Sequence, residues 1–113
     1  MKILHLEDVS TENIHNDSVF RKSLLKIGDI KGEIQTMNFA WLEKDISLEK
    51  HTHEDCIEYF LILEGNGIIS IDENNFNIKK GDFVTVEKSE PHSIQNTGDN
   101  KLEFISLRVK ISS

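Results

Sequence analysis

The chain has 113 residues and one cysteine, and 13 lysines and arginines against 20 aspartates and glutamates leave a formal net charge of −7. That length suits a single domain, 1–113, which can bury roughly two thirds of its unfolded surface without disulfides. With no basic cluster longer than Lys79-Lys80, nucleic acid is not an expected partner.

The opening MKILHLEDV holds an apolar run too short for a signal-peptide core, and no later segment approaches membrane-spanning length. Cys56 stands alone and cannot form an internal bridge. A cytoplasmic protein with no membrane partner is the expectation. Residues 1–18 read as an N-terminal arm or strand with room for one helical turn. Beyond them, short runs rich in Ile, Val, Leu and Phe are punctuated by six glycines and Pro91. They predict strands over 20–27, 32–43, 57–63, 67–71, 75–79, 83–87, 92–96 and 101–109, with DENN from Asp72 as a hairpin turn. Many short strands with turn signals between them indicate an all-β sandwich or barrel.

From His51 the chain runs HTHEDCIEYFLILEGNG. On a strand, His51 and His53 share a face and can grip a metal, although such a pair by itself is ordinarily solvated surface. Glu58 lies an odd number of residues from His53 and would face away from both histidines on an unbroken strand. Convergence of the three therefore requires a bend or bulge within 54–57. Farther on, GDFVTVEKSEPHSIQN brings His92 and Asn96.

The pattern HxHxxxxExxxxxxG from His51 to Gly65 resembles the first motif of the cupin superfamily. Gly81, His92 and Asn96 are similar to the second, with fifteen residues between Gly65 and Gly81. The resemblance covers 45–96. It departs from the usual motifs at Asp45, where a glycine is common, and at Glu87 and Ser89, where proline and glycine are common, so the loop before His92 is free to take another path. What it implies is a double-stranded β-helix, a jelly-roll barrel, with His51, His53, Glu58 and His92 as ligands of one divalent transition metal. Three imidazoles and a carboxylate suit Fe, Mn, Ni, Co, Cu or Zn and do not choose among them.

The other histidines, His5 and His15, are expected on the surface. Cys56 is expected to be a packed thiol, and Asn96 a turn former rather than a partner of metal-bound water. Same-face alternation from Glu58 puts Phe60 and Ile62 beside the metal, and analogy with small cupins turns Asn38, Phe104 and Ser106 inward as further pocket lining. Tyr59, Leu61 and Leu63 are apolar on the opposite face, and MNFAWL from Met37 repeats this two-sided pattern. A homodimer formed through a barrel face, with Leu61 or Phe39 in the contact, is the expectation. No residue of either motif is an evident catalytic acid or base. That leaves room for a binding module, but retention of all four ligand types makes the expected function a small metalloenzyme of dioxygenase or isomerase type acting on a small oxygen-rich metabolite. The alternative is a non-catalytic module that binds or senses a sugar or carboxylate.

Overall fold

The computed structural model describes residues 1–14 and 19–111, and His15 lies outside them. The described residues form eleven strands and one 3-10 turn, Leu6–Asp8, with no α-helix. The strands are β1 (Lys2–His5), β2 (Glu12–Ile14), β3 (Val19–Arg21), β4 (Gly32–Leu42), β5 (Ser47–His51), β6 (Cys56–Glu64), β7 (Asn66–Ile71), β8 (Asn74–Lys79), β9 (Asp82–Val86), β10 (His92–Asn96) and β11 (Leu102–Ile111). One sheet has the order β1-β9-β6-β11-β4, a second β5-β10-β7-β8, and β2 pairs with β3 in a separate ribbon. Every pairing is antiparallel. This is the all-β double-stranded β-helix that the resemblance implied.

Side-chain alternation builds the core. Phe60 and Ile62 of β6, Val84 and Val86 of β9, and Leu102 and Phe104 of β11 meet Ile69, Ile71, Ile78 and Ile94 from the other sheet in one buried cluster. Burying a side chain of this size is worth roughly 1.5–3 kcal/mol, so the intersheet layer is the main source of stability. The connection from β6 to β7 passes from one sheet to the other at Gly65, whose φ is +97°. A Cβ there would lie 2.5 Å from the carbonyl oxygen of Lys101, so only glycine fits the turn. The β7–β8 hairpin closes at DENN as expected, pairing Ile71 with Asn74 and holding Asp72 at φ +54°.

Several elements differ from the expectation. In place of a strand over 20–27, only Val19–Arg21 is extended. A turn follows, in which the Asp29 carboxylate and the Lys26 carbonyl accept the backbone N–H groups of Lys26 and Asp29. The strand β5 was not anticipated. Its sequence SLEKH has one apolar side chain because it sits at a sheet edge, where alternation has little to bury. The bend expected within 54–57 is larger than a bulge. Residues 52–55 leave the four-stranded sheet at the end of β5 and enter the five-stranded sheet at β6.

The outer face of the five-stranded sheet is covered in part by the chain itself. Tyr59, Phe83 and Val109 form a second buried cluster there, packed with Leu4, Leu24, Leu25, Ile30, Ile57, Leu61 and Leu107. The chain's own segment after β3 thus packs onto this face. At β4 the outer face is open. Pairing with β11 skips one residue between Thr36 and Ile34, a β-bulge at Gln35 that turns Ile34 to the same side as Met37, Phe39 and Trp41. All four are exposed, from 51% for Trp41 to 69% for Met37.

Candidate metal centre

Four side chains from both sheets meet at one end of the sandwich. His51 closes β5, His53 sits in the crossing loop, Glu58 points inward from β6 and His92 opens β10. Antiparallel pairing sets His51 directly across from His92. One ligand atom from each of the four lies within 4.8 Å of the others, an arrangement that could hold a metal ion. The ring centroids of His51 and His92 are 4.2 Å apart, and those of His51 and His53 are 4.9 Å apart.

Hydrogen bonds orient the imidazoles. The Nδ1 of His51 lies 2.9 Å from the carbonyl oxygen of Glu49, and the Nδ1 of His92 is 2.9 Å from that of Glu90. A carbonyl only accepts, so each Nδ1 carries a proton, and in the neutral ring each Nε2 then holds a lone pair for the centre. The Oε1 of Glu58 is 3.2 Å from the Nε2 of His92 and 3.3 Å from that of His53. Lone pairs that face each other at such distances call for a positive charge between them, a proton or a metal ion. This donor set, hard carboxylate with borderline imidazole, fits a divalent transition metal.

The charges are consistent with a cation-binding role. Burial pushes the Glu58 carboxyl up, but its bond to His92 and the fields of His53, His92 and Arg108 outweigh that, and its pKa is lowered overall. His53 is pulled below the ordinary histidine value, first by burial and then by the Arg108 guanidinium, against the opposing attraction of Glu58. An ionised carboxylate and a neutral imidazole are the forms that ligate.

Around the centre, Phe60 and Phe104 are 1% and 4% exposed, and their rings meet edge to face at 5.6 Å. The Phe60 ring lies 6.2 Å from that of His92. Ser106 is buried opposite Phe60, while Asn38, paired with Ser106 on β4, is exposed. Ile62 lies one inward position farther along β6 and is fully packed in the intersheet cluster. Cys56 is buried, with a thiol pKa raised by that burial. It is not one of the four converging residues.

Ser89, standing where the second motif commonly has glycine, takes the left-handed conformation that glycine accepts most easily, at φ +66°. Asp45 does likewise at +65°. The Ser89 N–H donates to the His53 carbonyl at 2.7 Å and its hydroxyl to Glu54 at 3.0 Å, tying the loop before His92 to the HTH segment.

Asn96 is the turn former expected and His5 the surface residue expected, each with partners the sequence did not name. Asn96 lies at the far end of β10 from His92, with its amide donating to the carbonyls of Leu42, Glu43 and Asn100 and its oxygen accepting from Gly98. Its hydrogen-bonding capacity is spent on loops, so it is a staple with nothing left for metal-bound water. The His5 side chain is 43% exposed, and its Nδ1 meets the buried carboxylate of Asp82 at 2.5 Å. The residue missed from sequence is Arg108, outside both motifs, whose guanidinium reaches His53 at 3.3 Å. Alternation from Phe104 through Ser106 would have found it, because the next inward position on β11 is Arg108.

A double-stranded β-helix with a three-histidine, one-glutamate cluster at one end defines the class. The cupin domain model matches residues 41–108, and the chain belongs to the cupin family. Over 106 residues it is 31% identical to an uncharacterized protein of Methanocaldococcus jannaschii, covering 93% of this chain and 85% of that protein. It is also 38% identical over 61 residues to an oxalate-binding protein of Thermotoga maritima, 54% of this chain and half the length of that relative. Among solved structures it resembles a predicted oxalate decarboxylase of Thermotoga maritima. That likeness has a TM-score of 0.68 and 26% identity, covering 98% of this chain and all of that one.

Proposed function

We propose that this single-domain cupin, 1–113, binds one divalent transition metal through His51, His53, Glu58 and His92 and uses it to hold a small oxygen-rich metabolite. The convergence of three imidazoles and one carboxylate, with the His51 and His92 rings set by backbone carbonyls, carries the reading. When bound, the metal would supply Lewis-acid or redox chemistry of dioxygenase or isomerase type. The chain's own contribution is to present neutral imidazoles and to wall one side of the centre with Phe60 and Phe104, with Ile62 packed behind and Ser106 and Asn38 along the adjoining strands. A second reading, a binding module without turnover, is favoured by the likeness to an oxalate-binding protein. Small carboxylates are the first ligands to try under either.

The same reading includes a cytoplasmic location, supported by the single unpaired, buried Cys56. It also includes a homodimer through the outer face of β4. Among the described residues no helix is long and apolar enough to cross a membrane.

Elemental analysis and thermal melting test the metal. The unaltered protein is expected to hold close to one equivalent, and a His51→Ala/His92→Ala variant to lose it. Chelation should lower the melting temperature, because a ligand that binds only the folded chain stabilises it. Stoichiometric metal in the double variant would overturn the assignment. Oxygen uptake or product formation with small carboxylates and diketones then separates enzyme from binder.

A further inference from the structure

Arg108 is poorly explained as a structural residue. It projects from β11 beside Glu58, its register partner on β6, yet its nearest guanidinium nitrogen is 4.0 Å from that carboxylate, at the limit of an ion pair. The same nitrogen donates to the Nε2 of His53 at 3.3 Å, the lone pair that a bound metal would take. Among the described residues, the Nε of Arg108 is buried with no hydrogen-bond partner. A buried donor left unsatisfied is destabilising, and guanidinium forks normally meet carboxylates in two parallel bonds. Here neither the geometry with Glu58 nor the contact with His53 satisfies the group, and just over a third of the side chain faces solvent.

Metal loading sharpens the conflict. The cation takes His53 and Glu58, the two partners Arg108 reaches, and adds like charge beside the guanidinium. One carboxylate then faces a divalent ion and an arginine, so the centre carries net positive charge in a protein that is acidic overall. We infer that Arg108 is the anion-recognising residue of this centre, and that its ligand is a small dicarboxylate held between the metal side and the guanidinium. This rests on the metal reading above and narrows its oxygen-rich metabolite to a dianion. Neutral sugars and diketones leave Arg108 without a partner, whereas a dicarboxylate supplies paired acceptors for the fork and the charge that offsets it.

The test uses cobalt-loaded full-length protein, with visible absorption reporting ligand entry. Oxalate and malonate are the dianionic probes and imidazole the neutral one, compared between the unaltered protein and Arg108→Gln, with Arg108→Lys as the conservative variant. Losing a charge-assisted pair should weaken both dicarboxylates roughly 10- to 100-fold. Arg108→Lys should recover part of the loss. Imidazole affinity should stay within about twofold, and cobalt affinity should be unchanged or rise, because a competing cation has been removed. If Arg108 merely orients Glu58, Arg108→Gln loses cobalt instead, and the inference falls. Dicarboxylate affinity equal in the two proteins, with cobalt bound in both, overturns it while leaving the metal reading intact. Failure of the unaltered protein to bind cobalt overturns both.

Discussion

Asn96 shows how much one side chain can hold together. It is 1% exposed, and its amide links the loop after β4 to the loop before β11 through three carbonyls, while its oxygen fixes Gly98. Replacing it with alanine strips partners from several of these groups at once. The expected cost is roughly 2–4 kcal/mol, above that of an average substitution. Asn96→Asp should also fail to rescue, since a carboxylate has no N–H to give the three carbonyls. Urea denaturation measures the cost, and metal content should survive in the folded fraction because Asn96 lies at the opposite end of β10. Loss of metal without loss of stability would contradict the stapling role.

At the level of elements, β1 depends on a titratable tie. It pairs only with β9 at the sheet edge, and His5 is held to the buried Asp82, which also accepts the Lys79 N–H. The hydrogen bond and charge of Asp82 raise the His5 pKa above its ordinary value of 6.5. With the folded value above the unfolded one, the tie stabilises fully below the ordinary histidine range, as long as Asp82 stays ionised. It weakens as pH rises through the raised folded value. The stability gap between the unaltered protein and His5→Ala should therefore be widest in mild acid and should narrow on the alkaline side of neutrality. Denaturant midpoints across that range check it, and a gap that widens with pH would refute it.

For the whole molecule, the open question is what covers β4. Ile34, Met37, Phe39 and Trp41 stand together on its outer face, with the Phe39 and Trp41 rings edge to face at 5.9 Å. Among the described residues, no strand neighbours the far edge of β4 in its sheet. A contiguous apolar row on a long unpaired edge favours association, and two-fold pairing would leave the metal end of both sandwiches accessible. Sedimentation should show a dimer at micromolar concentration, and Phe39→Glu should dissociate it with the metal centre intact. A charge at Leu61 should instead destabilise the subunit, because that side chain packs against the buried cluster of Tyr59, Phe83 and Val109. An unaltered protein that sediments as a monomer would remove the dimer from the reading.

The sequence by itself determined the fold class and the members of the candidate site. Strand alternation wrote the inner layer into β6, β9 and β11, and glycine spacing framed the two histidine motifs. Only the tertiary structure decided what depends on partners distant along the chain. The polar edge strand β5 carries little alternation because half its surroundings are water. Leu24, Leu25 and Ile30 pack onto the second face of the five-stranded sheet from a segment with no regular pattern of its own. Arg108 reaches Glu58 and His53 across fifty and fifty-five positions of sequence. Local residue patterns encode which face is apolar, since that follows from the period of the backbone. Which surface meets that face, and which charge meets the centre, is fixed only when the chain closes on itself.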